Sequence, residues 1–184
     1  MKQLLIQGDD LGMSPSINKA TFRALLKGLL TTASVMVPCP YFQEVIQFKK
    51  EHPQVDLSLH LTLTCEWTHS HCQRWGPVAP LDLVPSLVDS QGFFWPHLSQ
   101  VISRAQAEEV ERELEAQIQL ALSHKIHPIH LNSHMYALWQ HPPFLAIYKK
   151  LIKKYQCSHY LLPDREGDHQ AAYQFHPSSD QLRS

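Results

Sequence analysis

The chain has 184 residues, of which 43% are hydrophobic, with 16 Lys and Arg against 17 Asp and Glu. This length and composition are typical of one globular domain with a sizeable core and exclude a disordered or fibrous chain. The balanced charge gives no electrostatic reason to expect nucleic acid or an anionic membrane as a partner.

The sequence contains no apolar run of the eighteen or so residues that a membrane span needs. We therefore expect a protein that is neither secreted nor anchored in a membrane. The four cysteines lack the close pairwise spacing of a zinc site, and without a secretory signal disulfides are not expected. These cysteines are Cys39, Cys65, Cys72 and Cys157. The predicted location is the cytoplasm.

Short apolar segments alternate with amphipathic ones along the chain, which predicts an α/β protein with a largely parallel sheet. The predicted strands cover residues 3–7, 33–37, 55–64, 129–134 and 159–162. The predicted helices begin at Ser14-Pro15, residue 41, a capping box from Ser103 to Gln106, and Pro142-Pro143. They end at Gly28, residue 51, about Ser123 and Tyr155.

The third and fourth predicted strands alternate strictly between apolar and polar residues. In the third, five aliphatic residues from Val55 to Leu63 alternate with a polar set that has His60 at its centre. In the fourth, His130, Asn132 and His134 share one face. Both strands therefore predict a histidine-bearing polar face.

The other segments predict fewer functional features. Residues 65–100 form a long irregular segment, which in a compact domain is usually functional or mobile. The acidic run from Glu108 to Glu115 is predicted to be the solvent-exposed face of its helix. Residues 1–162 are predicted to form one α/β domain and residues 163–184 a polar tail. A full (β/α) barrel usually needs about 200 residues, so the chain should supply an incomplete one.

The acids and histidines at strand ends form a candidate site. Asp9 and Asp10 are predicted to follow the first strand, where α/β folds collect catalytic groups, although Asp-Asp-Leu-Gly is also good turn chemistry. One carboxylate could hold a metal ion while the other reaches a water. Together with His60 and His134, they fit an open Asp-His-His metal site, whereas either histidine alone is more often only hydrogen-bonded.

Four motifs, in order along residues 2–163, resemble the YdjC/ChbG family of carbohydrate deacetylases. They are Gly8-Asp9-Asp10-Leu11-Gly12, Leu29 to Val37, Leu59-His60-Leu61-Thr62-Leu63-Thr64, and His130-Leu131-Asn132-Ser133-His134. The chain departs from that family at Gly8, Leu11 and Asn132, where the family has Ala, Phe and Asp. It also departs where the family continues with further histidines after the last ligand and this chain has Met135, Tyr136 and Leu138. A later His-Pro motif of the family is also absent, so weak activity is expected.

The resemblance implies a TIM-like barrel of the YdjC/NodB type, a divalent ion (Mg²⁺ or Zn²⁺), and hydrolysis of N-acetyl groups from N-acetylglucosamine-containing oligosaccharides. Carried over by position, Asp9 is the catalytic base, and Asp10, His60 and His134 are the metal ligands. Such an enzyme would act on a small-molecule sugar substrate.

Several alternatives stay open. Trp67, Trp75 and Trp95 could stack on a sugar ring or could pack the long segment against the sheet. The chain could be a shortened, non-catalytic sugar-binding relative, or a metal-dependent phosphoesterase, although it has no Gly-rich phosphate cradle. An unclosed barrel would leave strand edges exposed, so a homo-oligomer is expected.

Overall fold

The computed structural model describes residues 5–69 and 72–159 of the chain. Its sheet has five parallel strands arranged in chain order, β1-β2-β3-β4-β5. The strands are β1 Gln7–Leu11, β2 Thr32–Val35, β3 Leu57–Leu61, β4 His130–Ser133 and β5 Ser158–His159. This confirms the α/β class and the parallel sheet.

In the described part of the chain, five α-helices connect or flank the strands. They are α1 Pro15–Leu26, α2 Phe42–Glu51, α3 Leu98–Arg104, α4 Ala107–Ser123 and α5 Pro142–Tyr155. No helix among the described residues is long and apolar enough to cross a bilayer.

Strands in chain order with helices between them are the arrangement of a barrel segment. Among the described residues β1 and β5 are the outer strands, so a closed barrel is not seen. The division into a domain of residues 1–162 and a tail of residues 163–184 stays a prediction, because the chain from residue 160 lies outside the described part. The homo-oligomer also stays a prediction.

The first strand differs from the prediction. It covers Gln7–Leu11, so residues 5 and 6 precede it, and Asp9 and Asp10 lie within the strand and not after it. Residues 3 and 4 of the predicted strand lie outside the described part of the chain. The pairing with β2 shifts register between Gly8 and Leu11, and Asp10 has a φ of 64°. Gly8 therefore does not end the strand, because β1 passes through a bulge and pairs again beyond it. The fifth strand is described only at Ser158–His159.

The first helix has the termini that its sequence predicts. The side chain of Ser14 accepts a hydrogen bond from the backbone N–H of Ile17, and Pro15 occupies the first turn. Beyond the last turn, Gly28 has a φ of +71°, a conformation that glycine adopts without strain.

The apolar faces of β3, α4 and α5 form much of the core. Leu57, Leu59 and Leu61 of β3 are at most 1% exposed. On α4 and α5 the buried stripes contain Val110, Leu114, Ile118 and Ala121, and Phe144, Ile147, Tyr148 and Leu151. Burial of these side chains holds the helices against the sheet.

The predicted start of the third predicted helix, at the Ser103–Gln106 capping box, is wrong. The capping box lies at His97 and Gln100, where it begins the short helix α3, and α4 starts only at Ala107. The hydroxyl of Ser103 donates to the carbonyl of Gln100 inside α3, and does not cap α4. The end of the segment predicted as irregular is therefore helical.

One face of α4 is polar and yet buried, which contradicts the prediction for its acidic run. Glu113 is completely buried and accepts hydrogen bonds from the backbone N–H groups of Val78 and Ala79, at 3.0 and 2.8 Å. Gln117 pairs with both backbone groups of Thr62, at 3.0 and 2.7 Å. These two side chains tie the long segment and the end of β3 to α4.

The buried carboxyl of Glu113 should make stability depend on pH. Burial raises its pKa from an ordinary 4.5 to about 7, against the opposing effect of the backbone donors of Ala79 and Val78. Between these values the folded state binds more protons than the unfolded state, so the free energy of unfolding falls as pH rises. Between about pH 5 and about pH 8, the free energy of unfolding of the wild type should fall by up to about 3 kcal/mol relative to that of Glu113→Gln.

Urea unfolding of both proteins across this pH range measures the difference. The control is Glu108→Gln, at an exposed position of the same helix, which should follow the wild type at every pH. If the free energies of unfolding of the wild type and Glu113→Gln change with pH in parallel, the pKa of Glu113 is the same in the folded and unfolded states and the prediction is wrong.

Candidate metal centre

Asp9 and Asp10 line the same cavity although they are neighbours in a strand. In a regular strand, adjacent side chains point to opposite faces of the sheet. The left-handed φ of 64° at Asp10 and the register shift around it remove that alternation. The bulge thus brings two carboxylates to one cavity.

Asp10, His60 and His134 converge. The Oδ1 atom of Asp10 lies 3.3 Å from Nε2 of His60 and 3.2 Å from Nδ1 of His134. One candidate ligand atom from each residue lies within 4.8 Å of the other two. Donor atoms about 2.1 Å from one tetrahedral ion stand about 3.4 Å apart, so the three residues can hold a divalent metal ion.

The sheet determines this convergence. His60 belongs to β3, and His134 follows β4 directly in a short turn, His134–Tyr136. Because β3 and β4 pair in parallel, their carboxyl ends meet at the same edge of the sheet. Both imidazoles are buried, at 6% and 5% exposure.

The outward nitrogen of each histidine has a partner. Nδ1 of His60 lies 2.7 Å from Oδ1 of Asn132, and Nε2 of His134 lies 3.0 Å from Oε2 of Glu66. When these nitrogens donate to the oxygens, the other nitrogen of each ring presents its lone pair to Asp10. Metal-binding histidines are commonly fixed in this way.

Charge within the site favours a cation. Burial alone would raise the pKa of Asp10, but hydrogen bonds to His134 and His60 hold it well below its usual range. Burial alone would lower the pKa of His134, but the carboxylates of Asp10 and Glu66 raise it to about 9. A proton and a metal ion therefore compete for Nδ1 of His134.

Asp9 is held differently from Asp10. Its Oδ1 accepts hydrogen bonds from Nε2 of Gln7, Oγ of Ser34 and Nδ2 of Asn132, at 2.6, 2.7 and 3.2 Å. The side chain is exposed and lines the cavity. Asp9 is thus oriented through one oxygen by uncharged donors and lies outside the cluster of candidate ligands.

His130 shares the polar face of β4 but belongs to a supporting layer. Its Nδ1 lies 2.7 Å from the hydroxyl of Ser58, and its Nε2 contacts the side-chain oxygen of Gln7. Burial lowers its pKa to about 4, although the charge of Asp9 opposes this. An uncharged His130 thus donates to Gln7, which in turn donates to Asp9.

The cavity has a volume of about 390 Å³, near the lower end of the range for small-ligand sites. Its lining is Leu5, Gln7, Asp9, Asp10, His60, Asn132, Ser133, His134, Met135, Tyr136 and Trp139.

The three tryptophans of the long segment are not in that lining. Trp75 is 2% exposed, and its indole N–H donates to the carbonyl of Thr64 at 2.8 Å. The indole of Trp95 donates to the carbonyl of Ser86, and Trp67 packs against Trp75. For Trp75 these contacts support the packing interpretation, whereas stacking of Trp67 and Trp95 on a sugar stays a prediction. Trp75 in particular presents no face to a sugar.

Sequence reasoning missed Glu66, Tyr136 and Trp139. Glu66 lies beyond the alternating part of the third strand, and no periodic pattern marks it. Tyr136 and Trp139 follow the fourth strand in a turn, so alternation could not assign them a direction. Only their closeness in sequence to His134 indicated a place near the site.

Comparison with known proteins identifies the family. Residues 3–182 match the family model of the YdjC-like proteins. The chain belongs to this family. It resembles carbohydrate deacetylases of Enterococcus faecalis (31% identity over 156 residues) and Thermus thermophilus (38% over 153 residues). These matches cover 84% and 83% of this chain, and 56% and 51% of those proteins.

A solved structure supports the same assignment. The structure of a cellobiose-phosphate cleavage protein from Enterococcus faecalis superposes with a TM-score of 0.74 at 29% identity. The match covers 84% of this chain and 57% of that one. The YdjC-like chain described here thus spans about half the length of the curated relatives and of the solved structure that it matches.

Replacing Glu66 by Gln should weaken metal binding. The neutral amide can still accept the hydrogen bond from Nε2 of His134 but no longer increases the basicity of the ring. Loss of such a partner typically costs about 10- to 100-fold in affinity. Titration calorimetry with Zn²⁺ would measure this.

A matched control is Glu111→Gln, because the two glutamates are similarly exposed (26% and 28%) and Glu111 pairs with Lys150 on the helices. It should bind Zn²⁺ as the wild type does. If Glu66→Gln also keeps wild-type affinity, Glu66 does not support the ligand.

Proposed function

We propose that this chain carries the metal centre and the catalytic carboxylate of a carbohydrate deacetylase. The substrate is an oligosaccharide containing N-acetylglucosamine, and the products are acetate and the free amino sugar. The observation that carries the proposal is Asp9 beside the Asp10, His60 and His134 cluster on one cavity. The relatives named carbohydrate deacetylase supply the substrate class.

Asp10, His60 and His134 are the ligands in this proposal. Two imidazole nitrogens and one carboxylate suit Zn²⁺ better than Mg²⁺, which prefers an all-oxygen octahedral shell. A divalent ion bound there supplies positive charge that polarises the acetyl carbonyl and acidifies water. The hydrogen bonds to Asn132 and Glu66 keep the two rings oriented.

Asp9 is the general base. It accepts a proton from the water that adds to the acetyl carbon, and the C–N bond then breaks to release acetate. Protonated Asp9 can return that proton to the leaving amine. The donors Ser34, Asn132 and Gln7 fix one oxygen of Asp9, so the carboxylate keeps its direction toward the cavity.

The alternatives make different demands on the cavity. A metal-dependent phosphoesterase commonly adds basic side chains that hold the phosphate, whereas the residues that line this cavity include no Lys or Arg. A sugar-binding relative without turnover would bind the oligosaccharide and release no acetate. Acetate release from N,N′-diacetylchitobiose, with p-nitrophenyl phosphate as the comparison substrate, separates the three.

Asp9→Asn should keep the metal and lose activity. The amide can still accept the hydrogen bonds at Oδ1 but cannot accept a proton, so acetate release should fall by about 100- to 10,000-fold. Metal content by elemental analysis should stay at the wild-type level.

His60→Ala is the paired variant, and it should lose both metal and activity because it removes a ligand. If Asp9→Asn released metal as readily as His60→Ala, Asp9 would be a ligand and the proposed division between the two acids would be wrong.

A further inference from the structure

One part of the cavity wall is apolar and has no role in holding an ion. It consists of Met135, Tyr136 and Trp139, which follow His134 in the chain and are called here the aromatic wall. The cavity therefore combines hydrogen-bonding groups from β1, β3 and β4 with an apolar surface. An amphipathic ligand would match both parts.

Two of the three side chains of this wall are exposed, and Trp139 is half-buried. Tyr136 is 54% exposed and Met135 is 49% exposed, whereas Ala137 and Leu138, the next residues in the chain, are completely buried. Large apolar side chains next to a polar cavity are available to a ligand. The turn thus presents Tyr136 to the cavity and anchors itself through its neighbours.

The backbone of this turn is strained. Met135 and Tyr136 are consecutive and have φ values of 51° and 56°, a region that non-glycine residues adopt at an energetic cost. The backbone N–H of Leu138 donates to Oγ of Ser133 at 3.0 Å, and that of Ala137 to the carbonyl of His134 at 3.1 Å. Strain that the surroundings maintain in this way is often found at ligand-binding sites.

The wall is also supported from the core. The rings of Tyr136 and Trp139 lie 5.7 Å apart, and the ring of Trp139 lies 5.7 Å from that of Tyr148. Tyr148 is completely buried, and its hydroxyl donates to the carbonyl of Leu131 in β4 at 2.6 Å. Contacts from ring to ring thus connect the exposed Tyr136 with the strand that precedes His134.

We propose that Tyr136, supported by Trp139, is the platform on which a pyranose ring of the substrate stacks. This rests on the proposed function, because it takes the ligand to be an oligosaccharide. A pyranose has apolar C–H faces and a rim of hydroxyl groups, so it fits an aromatic surface beside hydrogen-bonding groups. Tyr136 is two residues from His134, which brings the stacked ring close to the metal centre.

Binding of N,N′-diacetylchitobiose to the zinc-loaded Asp9→Asn protein tests the platform, because this background should bind substrate without consuming it. Adding Tyr136→Gly should weaken binding about five- to tenfold, whereas Tyr136→Phe should leave it unchanged, since the ring face is what the sugar contacts. The thermal midpoint of Tyr136→Gly should not fall, because glycine adopts a positive φ without strain.

Tyr136→Asn is a second variant without the ring, and asparagine tolerates the left-handed conformation. The control Leu83→Ala removes another exposed apolar side chain, 45% exposed and outside the cavity lining, and should bind the sugar normally. Zinc content should be equal in all variants. If both Tyr136→Gly and Tyr136→Asn lost zinc, the turn would serve the metal centre and the platform would be wrong.

Unchanged sugar affinity in Tyr136→Gly would overturn the platform alone. The platform would also be overturned if the zinc-loaded Asp9→Asn protein, with Tyr136 in place, did not bind the sugar. The proposed function has its own measurement, acetate release by the wild type, so either result can be told apart from a failure of the deacetylase assignment.

Discussion

At Asp10 the backbone turns into the left-handed region, and β1 shifts its register against β2 between Gly8 and Leu11. Without this bulge, Asp9 and Asp10 would point to opposite faces of the sheet, and only one could reach the cavity. With it, Asp10 meets the two candidate histidine ligands while Asp9 meets uncharged donors. The proposed division between ligand and base depends on this local geometry.

Asn132 contacts both a candidate metal ligand, His60, and the proposed base, Asp9. Its amide oxygen lies against the ring nitrogen of His60, and its amide nitrogen donates to Asp9. The YdjC/ChbG pattern has an aspartate here, and a second carboxylate 3.2 Å from Oδ1 of Asp9 would repel it. An amide avoids this, because it accepts on one side and donates on the other. Asn132 therefore contacts both His60 and Asp9 without adding a negative charge beside the proposed base.

The sequence predicts best the features that follow from the period of a strand. Alternation placed His60 and Asn132 on polar faces, and the parallel register makes them direct neighbours. It could not reveal the bulge, because Gly8-Asp9-Asp10 resembles a turn. Nor could it reveal that Glu113 is buried, since the backbone N–H groups that bind its carboxylate are more than thirty residues away in the chain. Contacts between distant segments leave no local pattern.

The site draws on two kinds of support. The ligand residues and Asn132 lie on β1, β3 and β4 or directly after β4, in one continuous sheet, so the backbone ladder of the sheet limits their separations. Glu66 and Tyr136 instead follow strand ends, where side chains of other elements hold the chain, as Gln117 holds Thr62. Groups on a sheet are positioned more accurately than groups on loops. The geometry of the candidate metal ligands can therefore stay constant while the residues after the strands adapt the same centre to different small molecules.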